Sequence, residues 1–282
     1  MTYVRWTGAN GTTFAQDNNY AGGTQTANDD ELTIQGTVSI AGATTTRTLD
    51  SLTVHRDYSG DVGSSGNHLI FVDIEQVRLQ SVLGRMYLTG STTRANVYIH
   101  IPTGRSDSVT LGGVLPLIYI VNTNCGITIN SSADVGDIII SNSPGLRLTI
   151  NTSVTIDNIS SDAGFIFTNS AITTGSPSRV GLYGTARMET ALGVDCDMET
   201  VEIWGPRAFL DDRGSGDISN LRVIEGGYSL RRGNGSAKSI TGVKGPRGVI
   251  DLGGVGQSVT ASIVDIACKD FDLGRTVTYS GN

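Results

Sequence analysis

Residues 127–172 read ITINSSADVGDIIISNSPGLRLTINTSVTIDNISSDAGFIFTNSAI. Short apolar groups recur at Ile127–Ile129, Ile138–Ile140, Leu146–Ile150, Val154–Ile156 and Phe165–Phe167, about every 7–11 residues. They alternate with polar residues at period two or are β-branched throughout, which is the signature of short strands. An asparagine follows nearly every one, at Asn130, Asn142, Asn151, Asn158 and Asn169. Asparagine tolerates the left-handed backbone of a tight corner better than other side-chain-bearing residues. Two architectures produce this rhythm: a sandwich of short strands, and a parallel β-solenoid whose coils stack their turn residues.

Moving outward, the rhythm persists. Similar runs appear at Leu32–Ile34, Leu52–Val54, Leu69–Ile74, Val97–Ile101, Leu117–Val121, Val180–Tyr183, Val201–Trp204, Leu221–Ile224 and Val259–Ile263. There are roughly eighteen in all, too many and too short for one ordinary sandwich. The reading is therefore an all-β chain, a single-stranded parallel β-solenoid, with an irregular β-sandwich as the alternative. A coil of about 20–25 residues gives on the order of ten coils. Asparagines stacked at the corners can bond from coil to coil. Residues 1–30 differ from the rest. They hold few β-branched residues and carry Trp6, Phe14 and Tyr20 among Gly, Asn and Asp, and read as an N-terminal cap or docking arm. The solenoid domain is expected over 31–282. Residues 205–248 are rich in Gly, Arg and Asp and read as wide loops.

The composition narrows the function. Of 282 residues, 37 are glycine and 17% are charged, and the net charge is −7. An acidic chain with scattered arginines lacks the clustered basic face that nucleic acid requires. No apolar run approaches the length of a membrane-spanning helix. Met1–Asn10 holds no basic segment leading into an apolar one, so synthesis in a cytoplasm without export is expected. Lysine occurs only at Lys238, Lys244 and Lys269, so the 20 basic residues are mostly arginine, which favours protein–protein contact. Cys125, Cys196 and Cys268 are far apart, fit no metal-ligand spacing, and read as buried free thiols.

Residues 3–42, YVRWTGANGTTFAQDNNYAGGTQTANDDELTIQGTVSIAG, open with Trp-x-Gly at 6–8. An aromatic and Asp17–Asn18–Asn19–Tyr20 follow, then Gly-Gly, then an Asp-Asp step into the first strand-like runs. This layout resembles the start of β-helical bacteriophage virion proteins, with Tyr20 standing where tryptophan is commoner. The resemblance implies a capsid cement or decoration protein. Such a protein is expected in the virion, as a homotrimer bound to the major capsid protein or another virion protein, with no cofactor. Tyr3, Arg5, Trp6, Phe14 and Tyr20 are the expected docking residues, because aromatic and arginine side chains dominate interface hot spots.

The competing readings are a tail fibre or receptor-binding protein and a polysaccharide-degrading β-helix. A glycosidase needs two carboxylates on one face. Asp195 and Asp197 have the spacing that puts two side chains on one side of a strand. Adjacent Asp211 and Asp212 point apart in an extended strand, and Asp134 and Asp137 read as turn residues. Aromatics are only 6% of the chain, and Phe165, Phe167 and Trp204 alternate like core residues, which leaves a sugar cleft short of lining. His55, His68 and His100 accompany no catalytic or metal motif, so neither catalysis nor a bound metal is expected.

Overall fold

A computed structural model describes residues 3–9, 11, 19–21, 30–41, 48–71, 73–90, 95–104, 108–130, 133–151, 154–169, 178–191, 196–214 and 216–229, together with the strand backbones 238–245, 249–251, 259–266 and 277–279. Among them there is no α-helix. The strands are β1 (Tyr3–Trp6), β2 (Asp30–Ile34), β3 (Leu49–Val54), β4 (Leu69–Phe71), β5 (Ile74–Leu79), β6 (Met86–Gly90), β7 (Asn96–Ile99), β8 (Val109–Val121), β9 (Gly126–Ile129), β10 (Asp134–Ser141) and β11 (Arg147–Ile150). They continue as β12 (Thr155–Ser161), β13 (Phe165–Thr168), β14 (Arg179–Tyr183), β15 (Arg187–Thr190), β16 (Met198–Asp211), β17 (Ile218–Ser229), β18 (Lys238–Gly245), β19 (Val249–Asp251), β20 (Val259–Ile266) and β21 (Val277–Tyr279). The chain is an all-β parallel β-solenoid. It forms two compact units, Met1–Gly136 with Gly145–Arg147, and Asp137–Pro144 with Leu148–Asn282.

In the first unit, one face stacks β1, β2, β3, β5, β7 and the end of β8 in parallel register. A second face stacks β4, β6, the start of β8 and β9. Leu32 pairs with Leu52, Leu52 with Val77, Val77 with Val97 and Val97 with Ile118, coil steps of 20, 25, 20 and 21 residues. The long step contains an exposed hairpin tip, closed by an antiparallel bridge between Ser64 and Asn67.

Even residue counts between neighbouring coils are unnecessary, because pairing is parallel and each coil restarts its own alternation. Along β1–β8 the inward column runs Trp6, Ile34, Val54, Leu79, Ile99, Ile120, all fully buried. Each aliphatic side chain so buried contributes roughly 1.5–3 kcal/mol before entropy is counted.

In the second unit, β12, β14, β16, β17, β18, β20 and β21 stack on one face. The other face carries β13, β15 and the later parts of β16 and β17, then β19. Ile159, Val180, Val201 and Leu221 are register partners, in steps of 21, 21 and 20 residues.

The corners are built as the asparagines suggest, with an addition. Asn122 and Asn142 adopt positive φ, 46° and 47°. Each is followed by a buried hydroxyl, Thr123 or Ser143, that donates to a backbone carbonyl, Ile99 O or Ser141 O respectively. Asn169 Nδ2 donates to Asn151 Oδ1 at 3.3 Å, one coil away, which is the expected asparagine ladder. Asn124 bridges two other coils, donating to Pro102 O and accepting from Gly145 N. Asn158 is different: it lies within β12, not at a corner.

Three expectations are corrected. Residues 205–248 are largely strand where they are described, not wide loops. β16 bends at 205–208, where its register against β17 shifts, and passes from one face to the other without leaving extended backbone. The neighbouring coils supply the ladder hydrogen bonds, so composition matters less than it would in a free loop. Second, Phe165, Phe167 and Trp204 face outward, while Ile166 and Ile203 are fully buried. In FIFT both phases of the alternation are apolar. Ile166 is chosen because it stacks in register on Met188, and Met188 on Leu210. Third, Asp134 and Asp137 belong to β10 and not to a turn.

Candidate functional site

The five docking candidates separate into two groups. β1 lies parallel on β2, and its outer edge is covered by residues 19–21 running antiparallel. Ala21 N donates to Arg5 O at 2.8 Å and Thr7 N to Asn19 O at 2.7 Å. This protects an edge that would otherwise offer unpaired backbone groups. Period two then sorts the side chains. Trp6 points inward as the last member of its column, and Tyr20 is buried beside it. Gly8 explains the Trp-x-Gly spacing: its φ is +68°, and a Cβ there would stand 2.8 Å from the Trp6 ring. Tyr3 and Arg5 point outward, Tyr3 with 62% of its surface exposed and Arg5 donating to Gln35 Oε1 at 3.5 Å. Phe14 lies outside the described residues. Of the five candidates, Tyr3 and Arg5 are thus the two whose described side chains face outward.

Of the carboxylates weighed for catalysis, Asp137, Asp197, Asp211 and Asp212 hold structural bonds. Asp197 Oδ1 accepts Asp217 N–H at 2.7 Å, so it ties one coil to the next. Asp61 does the same for Arg85 N–H, and Asp162 for Asn142 N–H. Asp195 lies outside the described residues. Asp211 and Asp212 point apart, as an extended strand requires. Asp211 binds Arg213, which also bridges to Glu189, and those carboxylates hold the guanidinium more firmly protonated than usual. Asp212 points inward and is fully buried, accepting from Thr190 Oγ1 at 2.9 Å, Tyr228 OH at 2.9 Å and Gly214 N at 3.2 Å. Sequence spacing cannot reveal this cluster, because its members meet only once the coil register is set.

His55 Nδ1 sits 3.3 Å from Asp57, and His68 Nδ1 lies 2.8 Å from Thr89 Oγ1 against the Tyr87 ring. His100 follows β7 and is exposed. Among the described residues no group of three His, Cys, Asp or Glu side chains is placed to hold a metal ion.

Cys125 and Cys196 are buried free thiols, and Cys268 lies outside the described residues. Burial pushes the Cys125 thiol up to about 11, against a partial opposing effect of its hydrogen bond with Ser108. The proton is held more tightly in the folded chain. The stability linked to this group is therefore complete below the unfolded value near 9.0 and falls as pH rises toward 11. At pH 8 the native Cys125 is expected to resist a thiolate-specific disulfide reagent, and to react at the ordinary rate once urea unfolds the chain. Rapid labelling of Cys125 in the native protein, located by mass spectrometry, contradicts this placement.

Comparison with protein-family models, with curated proteins and with solved structures returns no match for this chain.

Proposed function

We propose that the chain is a structural protein of a bacteriophage particle, a cement or decoration protein that holds neighbouring shell subunits together without chemistry. The observation that carries the reading is the N-terminal end. β1, paired along its length with β2 and anchored by Trp6, presents the exposed Tyr3 and Arg5 on a fixed strand. An exposed aromatic beside an arginine is the composition of an interface hot spot, and residues held in a sheet lose little side-chain and backbone freedom on docking. The parallel coils add stiffness, since each is hydrogen-bonded to its neighbours. In this reading the molecule works as a homotrimer, its partner is the major capsid protein or another virion protein, and its place is the virion.

The test is a pair of measurements on the full chain. Light scattering is expected to give the mass of three copies. Cosedimentation with shells of the phage stripped of this protein is expected to restore it to the shell. The double variant Tyr3→Ser/Arg5→Glu is expected to fold and keep its mass, yet to bind at least about tenfold more weakly, as loss of two hot-spot residues requires. A monomer that ignores the shell overturns the proposal.

A further inference from the structure

The outward phase of the second unit's first face is a carpet of polar and aromatic side chains, in register up to Glu202 and Arg222 and shifted by one residue at Trp204. One column runs Asn158, Arg179, Thr200, Asn220. The next runs Ser160, Gly181, Glu202, Arg222, and the third Tyr183, Trp204, Glu225. Three features of this carpet point to a ligand.

The first is a groove of about 270 Å³ whose lining is mixed, with Asp137, Asn158, Ser160 and Arg179 beside Tyr183 and Ile139. Glycine at 181 makes room for the Tyr183 ring: a Cβ there would stand 2.7 Å from the Tyr183 hydroxyl oxygen and 2.8 Å from its ring carbon Cε2. The ring lies back across Gly181 and forms one side of the groove.

The second is the chemistry of the lining. Asn158 Nδ2 donates to Asp137 Oδ1 at 2.7 Å. That bond uses one carboxylate oxygen and one amide hydrogen, leaving acceptor capacity on Asp137 and both donor and acceptor capacity on Asn158. Ser160 contributes a hydroxyl and Arg179 a guanidinium. Arg179 is fixed by its ion pair with Glu202, and its charge is held more firmly by Glu202 and Tyr183.

The third is Trp204, 45% exposed next to Tyr183, with the Arg222 guanidinium 5.3 Å from its ring centre. Glu202 also lies 3.6 Å from Arg222, so the carpet carries an Arg–Glu–Arg chain. With Asp137 and Glu225 the face holds two positive and three negative groups.

These features discriminate among ligands. A face with more carboxylates than guanidiniums gives a phosphate or nucleic acid no field to follow, and the chain as a whole is acidic. Mixed donors and acceptors in a shallow groove leave an apolar molecule unsatisfied. A hydroxyl-rich ring with one apolar face fits both halves: its hydroxyls meet amide, carboxylate, hydroxyl and guanidinium, and its C–H face meets an aromatic ring. Coils repeat about every 4.8 Å, close to the length of a single pyranose. A sugar chain running along the stack therefore meets a fresh rung at each unit. We propose that this face binds an oligosaccharide, one ring seated in the Gly181 groove against Tyr183 and the chain continuing over Trp204. The proposal stands independently of the virion reading, since it uses none of the residues assigned to shell docking.

The experiment is binding of the full chain to a printed array of bacterial O-antigen, capsular and peptidoglycan oligosaccharides, followed by titration calorimetry with the strongest glycan. Asn158→Ala and Trp204→Ala, both at outward positions, are expected to melt within a degree or two of the parent. Each is expected to weaken binding by about tenfold or more. Gly181→Val is expected to abolish binding; should it disturb the coil, the other two variants still decide. Tyr98→Ala, on the outward face of the first unit, is expected to bind like the parent. Absence of binding to every glycan on the array overturns the proposal. So does a glycan whose affinity is unmoved by Asn158→Ala and Trp204→Ala.

Discussion

Asp212→Ala is expected to remove roughly 3–5 kcal/mol of folding stability, read as a lower urea midpoint at unchanged slope. Asp212 is fully buried, and three donors converge on it from neighbouring coils and from the turn that follows: Thr190 Oγ1, Tyr228 OH and Gly214 N. Thr190 also accepts from Arg213 N at 2.8 Å, so the turn itself is folded around this pair. Truncation to alanine leaves a buried phenol and a buried hydroxyl short of their acceptor. Tyr228→Phe removes one donor only and is expected to cost about 1–2 kcal/mol. A double-mutant cycle over the two is expected to show strong coupling, since they share one bond. Asp211→Ala, one residue away, removes a partly exposed ion pair and is expected to cost no more than about 1 kcal/mol. Equal losses at 211 and 212 would show that the inward cluster does not hold this corner.

Trp6→Ala is the second large effect, expected at roughly 3–5 kcal/mol. Trp6 terminates the column Ile34, Val54, Leu79, Ile99, Ile120. An interior residue of that column has neighbours above and below, whereas Ile34 depends on Trp6 for one side. Removing the indole leaves a void at the end of the stack and takes away what Gly8 and Tyr20 pack around. Tyr3→Ala, on the same strand but facing outward, is expected to change stability by no more than about 0.5 kcal/mol. The two variants separate folding from docking. A stable Trp6→Ala protein that no longer binds shells would mean that Trp6, not Tyr3, is the contact residue.

Much of the architecture is legible in the chain because it is local. The 127–172 stretch states its own strands, and its asparagines other than Asn158 fall between strands. Asn142 followed by Ser143 even carries both the left-handed residue and the buried hydroxyl, though the hydroxyl's part shows only when Ser143 is seen bonding Ser141 O. What stays hidden depends on register. FIFT satisfies alternation in either phase, and only stacking on Met188 decides that Ile166 turns inward. Trp204 looks like core by the same ambiguity, and its exposure is what assembles the aromatic part of the carpet. Arg179, Asn158 and Tyr183 are separated by a coil or by a turn of alternation and form no motif along the sequence. The Gly- and Arg-rich run after Trp204 suggests loops, because single-residue preferences cannot foresee that a neighbouring coil will supply its hydrogen bonds.

The unequal coil steps have a practical corollary. A solenoid fixes the phase of each coil through its neighbours, so one residue added inside a strand turns every following side chain of that strand over. The Leu52-to-Val77 step nevertheless accommodates 25 residues against 20 or 21 in the other steps of the stack from Leu32 to Ile118. The surplus is absorbed at the Ser64–Asn67 tip, which touches solvent on all four residues. That tip is where the chain has room to lengthen without rephasing its core. It is therefore the natural graft point for a displayed epitope or an affinity tag, carried outward on a scaffold that stays in step.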